Sequence, residues 1–208
     1  MAILNIAESP KLLIGLYGPP YKQIERKHIY DFYRKKLEKR KMCFWCNCSF
    51  RRINALKRIN LSLGETTIYD GKCIRSRNKT GKQLRLKIPR FGTFIDNYIK
   101  MHWSQIDMHI LWINDRITFD LTNVIDDYLM KITHIFRERD WLMSLPKHVL
   151  INTYLNFALP KYYHLPLICT NKRTKSSKRF MKTNGGMLNL EIMPKVIMKY
   201  LTSIVNNN

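Results

Sequence analysis

The sequence predicts an α+β fold, and three observations carry that reading. Segments with apolar residues at helical spacing are interspersed with short apolar runs bounded by turn residues. The pair Asn114-Asp115 between two such runs tolerates the positive φ angles of a tight hairpin. A composition 45% hydrophobic and 12% aromatic over 208 residues is enough to bury a core.

Taken in order, Lys22 to Lys41 sets Ile29, Phe32, Tyr33 and Leu37 at helical spacing among Lys and Arg, with Pro19 and Pro20 delaying the start. A second basic helix runs from Arg51 to Leu63, with Ile53, Leu56, Ile59 and Leu63 on one face and Gly64 as its end. Lys72 to Arg90 carries eight basic residues and no acidic one, broken by Gly71, Gly81 and Pro89; it reads as a loop ordered by a polyanion. Thr93 caps a predicted third helix whose stripe is Ile95, Tyr98, Ile99, His102, Trp103 and Ile106. Strands are expected at His109–Ile113, Ile117–Leu121 and Tyr128–Ile132. Beyond Lys172 to Lys182, with six basic residues, and Gly185-Gly186, a last helix led by Pro194 turns Val196, Ile197, Tyr200, Leu201 and Ile204 inward.

The net charge of +22 exceeds what solubility requires and points to a nucleic-acid partner. The longest uncharged stretch, Val149 to Pro160, is too short to span a bilayer, so no membrane partner is expected. Met1 to Pro10 reads as neither a secretory signal nor an Arg-rich transit peptide. Isoleucine occurs 24 times against four each for alanine and valine, the bias of an AT-rich genome, which fits an organelle-encoded product. Asp107 to Asp140 holds seven acidic and four basic residues, so one face avoids phosphate.

Candidate RNA-binding residues are the basic ones that no neighbouring acid balances. These are Lys22, Arg26, Lys27, Arg34 and Lys35 on the first helix and Arg51, Arg52 and Arg58 on the second. Lys79, Lys82, Arg85 and Arg90 in the basic loop and Lys172, Arg173, Lys175, Lys178 and Arg179 near the end complete the set. Cys43, Cys46 and Cys48, with Cys73 as the nearby fourth sulfur, suit zinc or an iron–sulfur centre, and buried free thiols are the competing reading. No cofactor is otherwise required. Walker A, Gly-x-Ser-x-Gly and His-Glu-x-x-His motifs are absent, and the chain is expected not to be an enzyme.

Lys22-Gln23 with Arg26-Lys27-His28-Ile29-Tyr30, Arg51-Arg52-Ile53-Asn54, and His109 to Ile117 resemble, in order, motifs of the small-subunit ribosomal protein four family in its divergent mitochondrial form. Asp126-Asp127-Tyr128-Leu129, Leu145-Pro146-Lys147-His148-Val149 and Val196 to Ser203 continue the resemblance. It implies a helical domain with an inserted S-four RNA-binding domain, two helices packed on a small, mostly antiparallel sheet. The implied division is a basic helical region at 1–48, an S-four-like domain at 49–140 with a basic insertion at about 62–92, and a C-terminal region at 141–208 completing the helical domain. The implied function is a structural constituent of the small ribosomal subunit in the mitochondrial matrix. Its partners would be small-subunit ribosomal RNA, neighbouring ribosomal proteins and the region where messenger RNA enters. The alternatives are another basic organellar ribosomal or RNA-processing subunit with a metal-stabilised Cys knuckle, and an intron-encoded homing endonuclease, which Tyr69-Asp70-Gly71 faintly imitates.

Overall fold

The computed structural model describes residues 22–64, 68–75 and 80–165. Two compact units make up the chain: residues 1–137 with 141–164, and residues 138–140 with 165–208. The site geometry below lies in the first unit. Of the second, only 138–140 and 165 are described.

A 3-10 turn at Gln23–Arg26 leads into helix α1 (Lys27–Lys39), which buries Tyr30 and Leu37. Strand β1 (Cys43–Cys46) and helix α2 (Phe50–Ser62) follow. Ser49 caps α2, its Oγ accepting from Arg52 N at 3.3 Å, and Gly64 follows the helix at φ +69°. Then come β2 (Gln83–Leu86), β3 (Thr93–Ile95), β4 (Lys100–His102), β5 (Ile110–Ile113) and β6 (Arg116–Ile117). Helix α3 (Phe119–Leu129), strand β7 (His134–Glu138), helix α4 (Leu145–Leu155) and strand β8 (Lys161–Leu165) complete the described elements.

β1, β2, β5 and β6 form one sheet in that order, every neighbouring pair antiparallel. β2 carries a bulge between Leu84 and Arg85. β3 pairs with β4, and β7 with β8. One core joins the sheet to α1, α3 and α4 through Tyr30, Leu37, Leu84, Leu86, Leu111, Leu121, Ile125, Ile151 and Leu155. Burying each large aliphatic side chain there contributes roughly 1.5–3 kcal/mol. A second, smaller cluster gathers Phe44, Cys46, Cys48, Tyr69 and Cys73 under Ile53 and Leu56 of α2. The alternation of β1 divides the two: Cys43 and Trp45 face the large core, Phe44 and Cys46 the small one.

The first two helices and the Asn114-Asp115 hairpin form where the sequence puts them, the turn residues at φ 45° and 58°. The expected helical domain with an inserted S-four domain does not. Thr93 to Ile106 is not a helix but the β3–β4 hairpin followed by a 3-10 turn at Trp103–Gln105. Asp96 Oδ1 accepts from Tyr98 N at 3.3 Å and reverses the chain, which pairs Phe94 with Met101. The predicted strands at 117–121 and 128–132 do not form: Ile117 ends β6, 119–121 begin α3, 128–129 end it, and 130–131 are the turn that follows. The predicted loop from Lys72 to Arg90 contains a central strand of the main sheet, β2. α2 buries none of its residues completely, so it is not the central helix of an S-four sheet. The last predicted helix lies outside the described residues. Among the described residues, no helix is long and apolar enough to cross a membrane.

Candidate functional site

Two clusters of chemistry-bearing side chains stand out, and the first is built from thiols. Cys46 ends β1, Cys48 follows it, and Gly71 at φ +71° turns the chain into the 3-10 segment Lys72–Ile74 that returns Cys73 to them. The Cys46, Cys48 and Cys73 sulfurs lie within 4.8 Å of one another, and the Cys48 and Cys73 sulfurs are 3.6 Å apart. Tyr69 Oη sits among them, 3.5 Å from Cys46 Sγ and 3.4 Å from Cys48 Sγ, and accepts from Cys73 N at 3.0 Å. Arg52 Nη1 donates to Cys48 Sγ at 3.3 Å, and Arg52 also pairs with Asp70.

Burial works against a thiolate at Cys73. Hydrogen bonds with the Tyr69 hydroxyl, the Asn47 backbone and Cys48 outweigh it and bring that thiol down to about 7. Burial pushes the Cys48 thiol and the Tyr69 hydroxyl up. A tetrahedral zinc ion with sulfur ligands at about 2.3 Å and an oxygen ligand at about 2.0 Å would need S–S edges near 3.8 Å and S–O edges near 3.5 Å. Three edges already lie close to those values: Cys48 Sγ to Cys73 Sγ at 3.6 Å, and Tyr69 Oη to Cys46 Sγ and Cys48 Sγ at 3.5 and 3.4 Å. Cys43, expected as a ligand, is not one: it faces the large core, where burial pushes its thiol up to about 12. A four-thiolate iron–sulfur centre therefore lacks its fourth sulfur among the described residues.

The second cluster is a buried polar network that no sequence motif announces. Asp120, in the first turn of α3, has Oδ1 2.7 Å from His148 Nε2 and Oδ2 2.5 Å from His109 Nε2, with Lys147 Nζ at 3.8 Å. His148 on α4 is fully buried, and its Nδ1 lies 3.1 Å from Arg137 Nη1. Arg137 on β7 also donates from Nε to His164 Nε2 on β8 at 3.0 Å, and its guanidinium lies 4.8 Å from the Tyr162 ring centroid. Arg137 Nη2 is buried without a hydrogen-bond partner. Among the described residues no carboxylate forms an ion pair with Arg137.

Burial raises the cost of ionising Asp120, yet the hydrogen bonds from His109 and His148 hold its carboxyl far below the usual range. Burial lowers both His148 and His164, the latter to about 4. It also pushes the Asp127 carboxyl up to about 6, helped by the charge of Asp126. Sequence reading misses this network because its members come from separate elements. One signal is available: Ile135 and Arg137 are the inward positions of β7, and a charged residue at an inward strand position requires a reason.

The predicted RNA-binding residues are scattered. Lys22 pairs with Glu25 at 3.4 Å and Arg26 with Asp126 at 3.2 Å. Arg34 is held by Asp31 and Glu38 over Trp112, and Lys35 pairs with Asp31 at 2.8 Å. Lys27 lies over Trp112, and Arg52 serves the thiol cluster. Arg85 is only 4% exposed and donates to Met108 O and Gln83 Oε1, so it faces inward and not toward solvent. Arg51, Arg58, Lys82 and Arg90 are exposed. Lys79, Lys172, Arg173, Lys175, Lys178 and Arg179 lie outside the described residues.

Comparison with known proteins overturns the ribosomal reading. The family model for the catalytic domain of class I tRNA synthetases (E and Q) matches residues 1–204. A glutamate–tRNA ligase of Acinetobacter baumannii is 31% identical over 214 residues, 95% of this chain and 42% of that protein. One of Rhizobium meliloti is 35% identical over 203 residues, 90% of this chain and 42% of that protein. The crystal structure of a glutamate-tRNA synthetase from Elizabethkingia anophelis superposes with a TM-score of 0.74 over 88% of this chain and 43% of that one. At 24% identity that likeness speaks for the fold.

The chain thus spans about two fifths of the curated relatives it matches. Membership of the ribosomal protein four family, a structural ribosomal role, the small-subunit RNA and ribosomal-protein partners, and the absence of enzymatic character are all corrected by these matches. The RNA-processing and endonuclease alternatives fall with them. Short separate motifs in the right order suggest the wrong family, whereas the synthetase match runs along nearly the whole sequence. This chain belongs to the family of class I tRNA synthetase (E and Q) catalytic domains.

Proposed function

We propose that the chain supplies catalytic-domain function in a glutamate–tRNA ligase, joining the carboxylate of glutamate to tRNA after activation by ATP. The observation that carries the reading is the family match over residues 1–204, with glutamate–tRNA ligases as the relatives. An amino acid with a carboxylate side chain requires a buried cation that its own protein has not neutralised. Arg137 has those properties: a partly buried guanidinium, a buried donor at Nη2 without a hydrogen-bond partner, and imidazoles where a carboxylate would otherwise sit. A buried donor left unpaired costs roughly 1–3 kcal/mol, and a bound carboxylate would recover that cost. The exposed Lys27, Arg51, Arg58, Lys82 and Arg90 would meet tRNA phosphates, displacing counterions.

Cys46, Cys48, Cys73 and the Tyr69 hydroxyl would hold a structural zinc ion, which fixes α2 and the Lys72–Ile74 turn against β1. Arg52 and the Cys73 amide, both hydrogen-bonded into the cluster, would stabilise its negative charge.

The purified chain, given radiolabelled glutamate, ATP and a glutamate-accepting tRNA, should form glutamyl-tRNA or at least show glutamate-dependent exchange of pyrophosphate into ATP. Absence of both reactions, together with no glutamate binding in equilibrium dialysis, would overturn the reading.

A further inference from the structure

We propose that His148 and His164 are positioning residues that hold Arg137 as an unneutralised cation for a carboxylate ligand, with Asp120 fixing His148 in the required tautomer. The inference rests on the glutamate reading above for the identity of the ligand, and on geometry alone for the arrangement.

A guanidinium only donates and a carboxylate only accepts. His148 stands between one of each: Asp120 Oδ1 at 2.7 Å from Nε2 and Arg137 Nη1 at 3.1 Å from Nδ1. Only one state of the imidazole satisfies both neighbours, the neutral ring with its proton on Nε2. His164 accepts from Arg137 Nε at 3.0 Å through Nε2, so its proton belongs on Nδ1, again in a neutral ring. Two donors of Arg137 are thus fixed by acceptors that carry no charge, while the Tyr162 ring lies 4.8 Å from the guanidinium. The burial that keeps both rings neutral serves the same arrangement.

Orientation by carboxylates would have done otherwise. A carboxylate on Arg137 would fix the side chain equally well and would also compete with any carboxylate arriving at Nη2. Asp120 is instead kept one imidazole away, its second oxygen committed to His109 and Lys147. Asp127 acts on Arg137 through its charge, with no hydrogen bond or ion pair between the two among the described residues. The site therefore favours an anionic ligand over its neutral amide, because only the anion gains from a guanidinium that no carboxylate holds directly.

Equilibrium dialysis of the full chain with L-glutamate and, separately, L-glutamine provides the test. His148→Leu removes both hydrogen bonds and is expected to weaken glutamate binding at least ~10-fold, leaving glutamine binding within ~2-fold. His148→Gln, whose amide can donate to Asp120 and accept from Arg137, is expected to restore binding to within ~3-fold of the wild type. Equal glutamate affinity in wild type and His148→Leu overturns the proposal, as does equal loss of glutamate and glutamine.

Should His148→Leu fail to fold, nitrogen NMR of the wild-type imidazoles decides. Neutral rings protonated on Nε2 of His148 and Nδ1 of His164 at neutral pH are expected, and the opposite tautomer or a cationic ring at either position overturns the proposal. A wild-type chain that binds no glutamate sinks the function proposed above, and the NMR result still judges the histidine arrangement.

Discussion

Tyr30 on α1 and Asp126 on α3, 96 positions apart, are joined by a hydrogen bond in which the tyrosine hydroxyl lies 2.9 and 2.8 Å from the two carboxylate oxygens. Gln23 and Arg26 approach the same carboxylate, so one acidic side chain ties the first helix of the described chain to the third. Tyr30 is 1% exposed, so its hydroxyl has no ready substitute in water. Tyr30→Phe keeps the ring and deletes only the hydroxyl; it is expected to cost about 1.5–3 kcal/mol, the range for a hydrogen bond to a charged group. Urea unfolding followed by circular dichroism checks this, with a lower midpoint at unchanged slope as the expected result.

The thiol cluster predicts a contrast between two chemically identical substitutions. Cys48→Ser is expected to abolish zinc retention through gel filtration and to lower the thermal midpoint. Cys43→Ser, on the opposite face of β1, should keep one zinc per chain by elemental analysis. Chelation should lower the midpoint of the wild type and leave Cys48→Ser where it was.

Stability should rise with pH between about 4 and 6.5. His164 is lowered from its ordinary 6.5 to about 4, and His148 is lowered too, so between those values the unfolded chain binds more protons than the folded one. Asp127 acts against this. Its carboxyl, raised from 3.8 to about 6, lets the folded chain bind the extra proton over nearly the same window, which makes stability fall as pH rises. Asp127→Asn should therefore steepen the rise and His164→Asn flatten it, as read from urea midpoints across the window. Asp120, held low, adds a further loss of stability below its ordinary 3.8.

Charge reversal at the exposed Arg51 and Arg58 of α2 should weaken tRNA binding without altering glutamate affinity. Every arginine–phosphate pair so removed should reduce the slope of log affinity against log salt by about one. Filter binding over a salt series measures both quantities. Unchanged slopes would place the tRNA elsewhere on the chain.

What can be read from sequence follows from how local each signal is. α1 and α2 are legible because their stripes repeat over three turns and Gly64 marks the end of α2, whereas the Ser49 cap at its start emerges from the structure. Thr93 to Ile106 misleads because a short apolar run satisfies helical and strand periods alike, and the deciding residue is Asp96, whose side chain bonds Tyr98 N to make the turn. The thiol cluster is partly legible: the spacing singles out Cys46, Cys48 and Cys73, but it also draws in Cys43, which faces the other way, and it misses Tyr69, since a phenol carries no spacing signature. Arg137, His148, His164 and Asp120 cannot be assembled from sequence, because β7, α4, β8 and α3 bring them together only once the chain has folded. The charge excess suggests a polyanion and misleads about the ribosome, since charge identifies phosphate and not which RNA carries it.

β1 serves as a partition wall with four side chains, two for each room. Its pairing with β2 sets Cys46 opposite Gln83 and Cys43 opposite Leu86. Sliding the strand by a single residue would turn Cys46 toward the large core and Trp45 toward the thiols. A cation clamped by Cys46 would thus act as a latch on strand alignment, turning an ion bound near the edge of the sheet into a check that the centre of the protein has been assembled in the right frame.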